Sequence, residues 1–221
     1  MIVRWLGHAA FSIIADGARD GRLCVDPHAP GVLGGRFQLP PIIGPFDAIA
    51  TTHAHEDHCA WRPALGTDRL LDTDQTFGPY TLRFRGVSHD QVDGRQMGWV
   101  RMLSLDVDGF RIVHAGDLSA YDSADIAWLG TVDLLLVPVG GTYTLDGAEA
   151  ATFTRAVAPK WVVPMHGQDP AIDLPLAPTS DFLDALQWPI TERLQLSLDD
   201  LPPAGQVVLL QHPAHRRAVV T

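Results

Sequence analysis

His53-Ala54-His55-Glu56-Asp57-His58 is the stretch on which the reading of this chain turns. On an extended backbone His53 and His55 point the same way, because alternate residues share a face. Two imidazoles so placed can grip one metal ion. Asp57 and His58 come next, on the turn out of the strand, and point elsewhere, which suits a second ion close by. Imidazole with carboxylate favours zinc or another first-row divalent ion. With 10 histidines and 23 aspartates in 221 residues, chance produces this spacing in about 0.2% of shuffled chains, so a stray histidine-rich loop is a poor account of it.

Working outward, the cluster follows an apolar run, 46–52, read as a buried strand. Upstream, 2–6 and 10–14 read as short strands around Gly7-His8, and 22–25 as another, stopped at Asp26-Pro27. Residues 28–45 are rich in glycine and proline and make a long loop of the kind that carries function more often than not. Downstream, 80–84 alternates as a strand and leads to His89. Segments 102–107 and 110–114 form a hairpin around Asp108-Gly109, followed by Asp117. The unbroken apolar run 132–139 suits a strand covered on both faces. Asp146-Gly147-Ala148-Glu149 fits a capping box opening a helix to about Val157. Strand 161–163 then leads to His166, helix 179–188 follows, and 207–210 is a last strand that Val219-Val220 extends. Strands come in blocks before helices, which predicts an α+β sandwich formed by one domain over 1–221.

Four strands therefore end in candidate metal ligands: the cluster itself, His89, Asp117 and His166. Loops at strand ends converge above a rigid sheet, a common place for a site. His8 and His28 are candidates for substrate contacts. So are the backbone N–H groups of Gly140 and Gly141, although a tight turn explains those glycines equally well. His114 reads as a packed support, and Asp26 as a turn residue or a hydrogen-bond partner of the ligand loop. Trp5, Trp61 and Trp99 fit core or lid, and Cys59 a small buried residue. His212 and His215, near Arg216-Arg217, read as surface.

Composition bounds the function. A net charge of −10 argues against a nucleic-acid partner and against an anionic membrane surface. Two cysteines, Cys24 and Cys59, are too few for a disulfide scaffold and suit a reducing, cytoplasmic setting. No apolar run approaches the ~20 residues of a membrane span. The apolar start, Trp5 to Ala15, is broken by Gly7-His8 and lacks a convincing cleavage site, so no signal peptide is expected.

Taken together, these residues resemble the metallo-β-lactamase superfamily, whose signature is H-x-H-x-D-H followed by a His, an Asp and a last His. Gly7-His8, Pro138-Val139-Gly140-Gly141-Thr142 and Pro164-Met165-His166 look like its L-ascorbate-6-phosphate lactonase-like branch of metal-dependent hydrolases. The resemblance implies a four-layer αββα sandwich. It implies two divalent ions, zinc first and manganese second. His53, His55 and His89 would hold one, Asp57, His58 and His166 the other, and Asp117 would bridge them. A hydroxide shared by the ions would attack a small ester, lactone or phosphodiester, with Asp57 and Asp117 as catalytic carboxylates. The ions would make the pocket locally positive, suiting an anionic or carbonyl substrate. The segment from His58 to His89 is shorter than in many members, so the substrate wall there is reduced or comes from a second copy in a homo-oligomer. Two rival classes stand beside the hydrolase: a mononuclear iron oxidoreductase of the persulfide dioxygenase kind, and a metal-binding module without catalysis.

Overall fold

Alternation of side chains decides which way each strand faces. In the computed structural model, which describes residues 1–17, 20–60, 65–197 and 199–212, the chain runs through fourteen strands. In chain order they are β1 (Ile2–Gly7), β2 (Ala10–Ile14), β3 (Arg22–Val25), β4 (Ala48–Ala50), β5 (Leu70–Leu71), β6 (Gln75–Phe77) and β7 (Tyr80–Ser88). Then follow β8 (Trp99–Val107), β9 (Phe110–His114), β10 (Leu134–Pro138), β11 (Trp161–Met165), β12 (Ile190–Arg193), β13 (Leu196–Ser197) and β14 (Gln206–Leu210). One sheet has the order β13-β1-β2-β3-β4-β5, the other β12-β14-β11-β10-β9-β8-β7-β6.

Phe11, Ile13, Leu23 and Val25 of the first sheet pack against Leu103, Leu105, Leu134 and Leu136 of the second, forming the layer between them. The intervening residues point outward. Met102, Val113, Leu135 and Val162 meet the helices α2 (Ser123–Leu129), α3 (Gly147–Val157) and α4 (Thr179–Leu186). On α3, Ala150, Phe153, Thr154 and Val157 are buried, the three-and-four spacing of a helix with one face on a core. The α+β sandwich expected from the sequence is the one the chain forms. Outside the six-stranded sheet, loop residues Ile42, Phe46 and Leu65 cover Ala10, Cys24 and Ile49 among the described residues.

Several elements differ from the sequence expectation. The strand expected over 46–52 is ordered as strand only at Ala48–Ala50, since Phe46 and Asp47 turn their N–H groups to Leu65 and Arg22. The strand expected over 80–84 runs on to Ser88, paired along its length with β8. Helix α2 was not expected; its cap is Asp122, with Asp125 completing a capping box. Within the 28–45 loop, α1 (Val32–Gly35) is one turn with Leu33 at φ 54°. His212 is buried rather than on the surface, with Nε2 on the Leu6 carbonyl at 3.0 Å. Trp61, His215 and Val219-Val220 lie outside the described residues. Among the described residues no helix is long and apolar enough to cross a membrane.

Strands β3 and β4 are parallel, as are β9, β10 and β11. Their C-terminal ends open on the same edge of the sandwich, and the candidate ligands follow from those ends.

Candidate metal centre

The ligand loop leaves β4 at Thr51-Thr52 and is tied to the opposite sheet by one residue. Arg101 Nε donates to Thr52 O at 3.0 Å, and its terminal nitrogens donate to the carbonyls of Thr51 and Asp72. From this anchor the loop presents two nitrogens to one point, and His89, at the end of β7, adds a third. His53 Nε2 lies 3.1 Å from His55 Nδ1, and His89 Nε2 lies 3.2 Å from the same atom. Ligands about 2.0–2.1 Å from a tetrahedral zinc stand about 3.3 Å apart, so this spacing fits one ion. Asp117 closes the group, with Oδ2 at 3.7 Å from His53 Nε2 and 3.6 Å from His89 Nε2.

A second group adjoins it. Asp57, His58, His166 and His8 bring ligand atoms within 4.8 Å of one another. Asp117 again takes part: its Oδ1 is 3.2 Å from His58 Nε2 and its Oδ2 is 3.4 Å from His166 Nε2. Asp117 therefore faces both groups, one carboxylate between four imidazoles. His58 Nε2 and Asp117 Oδ1 are buried without a hydrogen-bond partner. An orphaned donor–acceptor pair of this kind is costly unless a further group completes it. A divalent ion fits, because the donors are all imidazole and carboxylate; Cys59 is half-buried and belongs to neither group.

In His89 and His53 the nitrogen that faces away from the centre has a partner. His89 Nδ1 donates to the Tyr143 carbonyl at 2.9 Å, and Tyr143 holds φ 57° to present it. Thr52 Oγ1 donates to Asp26 Oδ2 at 2.6 Å and so accepts from His53 Nδ1 at 3.0 Å. Each bond selects the tautomer that aims a lone pair into the centre. Asp90 gathers the N–H groups of Val92, Gly94, Gln96 and Met97 at 2.8–2.9 Å and shapes the loop after His89. Against the cost of burial, those donors hold its carboxyl down at about 2.

Electrostatics favour a positive charge at the centre. Against the cost of burial, His166 and His58 hold Asp117 well below the usual carboxylate range. Burial opposes ionisation of His58 too, yet Asp117 and Asp57 hold it well above its usual value. His8 and His53 go the other way: burial, aided by His166 for the first and His58 for the second, pushes each down to about 3.

The remaining candidates are sorted by their contacts. His8 is buried beside Asp57, with Nε2 3.2 Å from Oδ2. His28 is turned from the pocket: its Nε2 is spent on the Leu6 carbonyl at 3.0 Å, so it does not offer the expected substrate contact. Gly141 donates its N–H to Leu145 O at 3.1 Å and is not free to bind an anion. Gly140 is required by space, since a β-carbon there would lie 2.2 Å from the His166 carbonyl. His114 is a support, with Nε2 on Ala9 O at 2.8 Å and Nδ1 accepting from Gly116 N. Asp26 bonds the ligand loop directly. The signals for Thr52, Asp90 and Tyr143 were weak: each is adjacent in sequence or space to a ligand, but only the fold supplies its partner.

Above the centre lies a cavity of about 550 Å³. His55, Asp57, His89, Asp117 and His166 form its floor, Leu33, Leu174 and Leu176 an apolar wall, and Arg36 is its one lysine or arginine among the described residues. Glu56 holds the α1 turn to the ligand loop by accepting from Leu33 N at 3.0 Å.

Two face-to-face sheets carrying this histidine–aspartate cluster at one edge define the metallo-β-lactamase class, and the chain belongs to that superfamily: residues 2–166 match the family model described as Beta-lactamase superfamily domain. A UPF0173 protein of Pyrococcus furiosus is 31% identical over 188 residues, covering 75% of this chain and 83% of that one. A UPF0173 metal-dependent hydrolase of Thermococcus onnurineus is 29% identical over 194 residues, covering 74% and 83%. The fold is like that of a metallo-β-lactamase superfamily protein from Thermotoga maritima, with a TM-score of 0.72, 24% identity and 95% and 97% of the two chains covered.

Proposed function

We propose that this chain is a metal-dependent hydrolase that holds two divalent ions, zinc before manganese, and cleaves a small ester, lactone or phosphodiester. The observation that carries this reading is Asp117, whose two oxygens lie 3.2–3.7 Å from nitrogens of His53, His58, His89 and His166. His53, His55 and His89 would hold one ion and Asp57, His58 and His166 the other, with Asp117 shared. Ions bound there supply a water that ionises near neutral pH and polarise a carbonyl or phosphoryl oxygen.

The chain's own residues do the rest. Asp57 and Asp117 stay ionised and balance the charge of the centre. The cavity is sized for a small molecule. Its leucine wall takes the apolar part of a substrate, and Arg36 takes an anionic substituent. The two cysteines are free, in keeping with a cytoplasmic enzyme.

Elemental analysis of protein purified without an affinity tag tests this reading, together with Asp117→Ala and a panel of esters, lactones and phosphodiesters. Two zinc or manganese ions per chain are expected in the natural protein, with fewer ions and no turnover in the variant. One iron per chain with thiol-dependent oxygen uptake would replace this reading with an iron oxygenase. Full loading without hydrolysis of any substrate would replace it with a metal-binding module.

A further inference from the structure

The turn between β1 and β2 carries a histidine in a conformation that histidine adopts at a cost. His8 has φ 53°, in the left-handed region, and is 1% exposed. Gly7 before it has φ 101°, and a β-carbon there would lie 2.9 Å from Leu39 Cδ1. The turn is pinned from both sides: the His8 carbonyl accepts from Trp5 Nε1 at 2.9 Å and from His166 N at 3.2 Å. The ring packs edge-on against Phe37 and lies 3.9 Å, centre to centre, from the His166 ring. Strained residues that their surroundings hold this firmly cluster at functional sites.

Its polar contact is Asp57. His8 Nε2 lies 3.2 Å from Asp57 Oδ2. Asp26 accepts from His58 Nδ1 and so frees the Nε2 of that ring for an ion, whereas His8 Nδ1 has no such acceptor among the described residues; in His8 the proton therefore sits on Nε2 and is donated to Asp57. Nδ1 is then the bare nitrogen, and it is buried without a hydrogen-bond partner. A second ion would have four protein donors without His8, namely Asp57, His58, His166 and Asp117. Zinc ordinarily takes four ligands, so His8 is not needed as a fifth.

We propose that His8 is a positioning residue: by donating Nε2–H to Asp57 Oδ2 it fixes the carboxylate that holds the second ion. The inference rests on the dinuclear reading above and assigns to the β1–β2 turn a share in the affinity of one ion and not the other. Partners behind a ligand are worth about 10–100-fold in metal affinity.

The test is a zinc titration of metal-stripped, tag-free protein against a chromophoric chelator, giving two stepwise dissociation constants, with the melting temperature of the stripped protein alongside. His8→Phe keeps the ring and loses the donor. His8→Asn accepts the left-handed backbone but is too short to reach Asp57. His8→Gln restores an N–H at the right distance. In the Phe and Asn variants one constant should rise 10–100-fold while the other moves less than about threefold. The Gln variant should recover most of the loss, and the stripped proteins should melt close to the natural one. Unchanged constants, a Gln variant as weak as the Phe variant, or both constants rising together with a lower melting temperature would each overturn the positioning role. A natural protein that binds only one zinc would overturn the dinuclear reading itself, and the inference with it.

Discussion

His58 Nδ1 lies 2.9 Å from Asp26 Oδ2, beneath the ligand loop. The same carboxylate accepts from Thr52 N at 2.7 Å and Thr52 Oγ1 at 2.6 Å. Through that hydroxyl it also orients His53. One buried acid at the end of β3 thus sets an imidazole in each half of the centre, keeping protons on the outer nitrogens so that the inner ones face Asp117. Asp26→Asn swaps one acceptor oxygen for a donor and leaves one of these partners unmatched. Zinc affinity should fall about 10–100-fold for both ions. Urea denaturation should show a loss of about 1–3 kcal/mol for the unmatched buried group. Natural affinity in this variant would mean that the tautomers are set elsewhere.

The metal-stripped protein should be more stable at pH 7.5 than at pH 5.5. His8 and His53 stand at about 3, and His28, His89 and His114 are also lowered, burial being the first cause in each. Their unfolded values lie near 6.5. Below that value the unfolded chain takes up protons that the folded chain refuses, so stability falls as pH falls, by about 1.4 kcal/mol per pH unit for each excess proton. His58 opposes this: its raised value contributes stability present below 6.5 and lost as pH climbs through the folded value. Asp57 and Asp117, both lowered, contribute fully at either pH, since both pH values exceed the unfolded carboxylate value near 3.9. Five groups against one decide the sign. Urea midpoints at the two pH values check it, and an equal or higher midpoint at 5.5 would refute it.

The family signature joined His89, Asp117 and His166 to the cluster, but what the residues alone told was mostly local. The ligand cluster spans six consecutive residues, Asp108-Gly109 makes its hairpin without help, and Asp146 finds Glu149 three residues on. The pairs that finish the centre are distant: Asp26 and His58 are 32 residues apart, Arg101 and Thr52 49, and Leu6 and His212 206. No spacing rule reaches across such intervals. Helix α2 was hidden for a different reason. Its capping box uses Asp125 where Glu or Gln is the usual third residue, and the helix is only seven residues long. Gly140 and Gly141 suggested an anion cradle, but the same dipeptide serves close packing, and only the His166 carbonyl at 2.2 Å from a β-carbon decides between them.

Gly140→Ala turns that distance into a measurement. The added methyl must push the His166 backbone away, and His166 already holds φ 54° to aim its ring at Asp117. Overpacking at a buried site costs about 1–3 kcal/mol. The melting temperature should drop accordingly, and one of the two ions should be lost or weakened more than the other, because His166 serves only one half. A variant that melts and binds zinc like the natural protein would show that the β11 turn is pliant.

Arg36 makes no ion pair among the described residues and stands exposed at the cavity wall, with its backbone carbonyl accepting from Asp173 N. An exposed guanidinium beside a centre that floors an apolar cavity has a charge to offer a substrate and little else. Arg36→Ala should raise KM two- to fivefold for substrates bearing a carboxylate or phosphate away from the scissile bond, the range an exposed pair of about 0.5–1 kcal/mol supports. kcat should hold, because the contact is the same in ground and transition states. Neutral analogues of the same shape should bind both proteins alike, and 0.5 M salt should shrink the difference, since screening at that strength acts within about 4–5 Å. If neutral analogues lose affinity as well, the three-carbon stem rather than the charge is in contact. If kcat falls while KM holds, Arg36 meets charge that develops only as the bond breaks, and belongs to the reacting centre rather than the cavity wall.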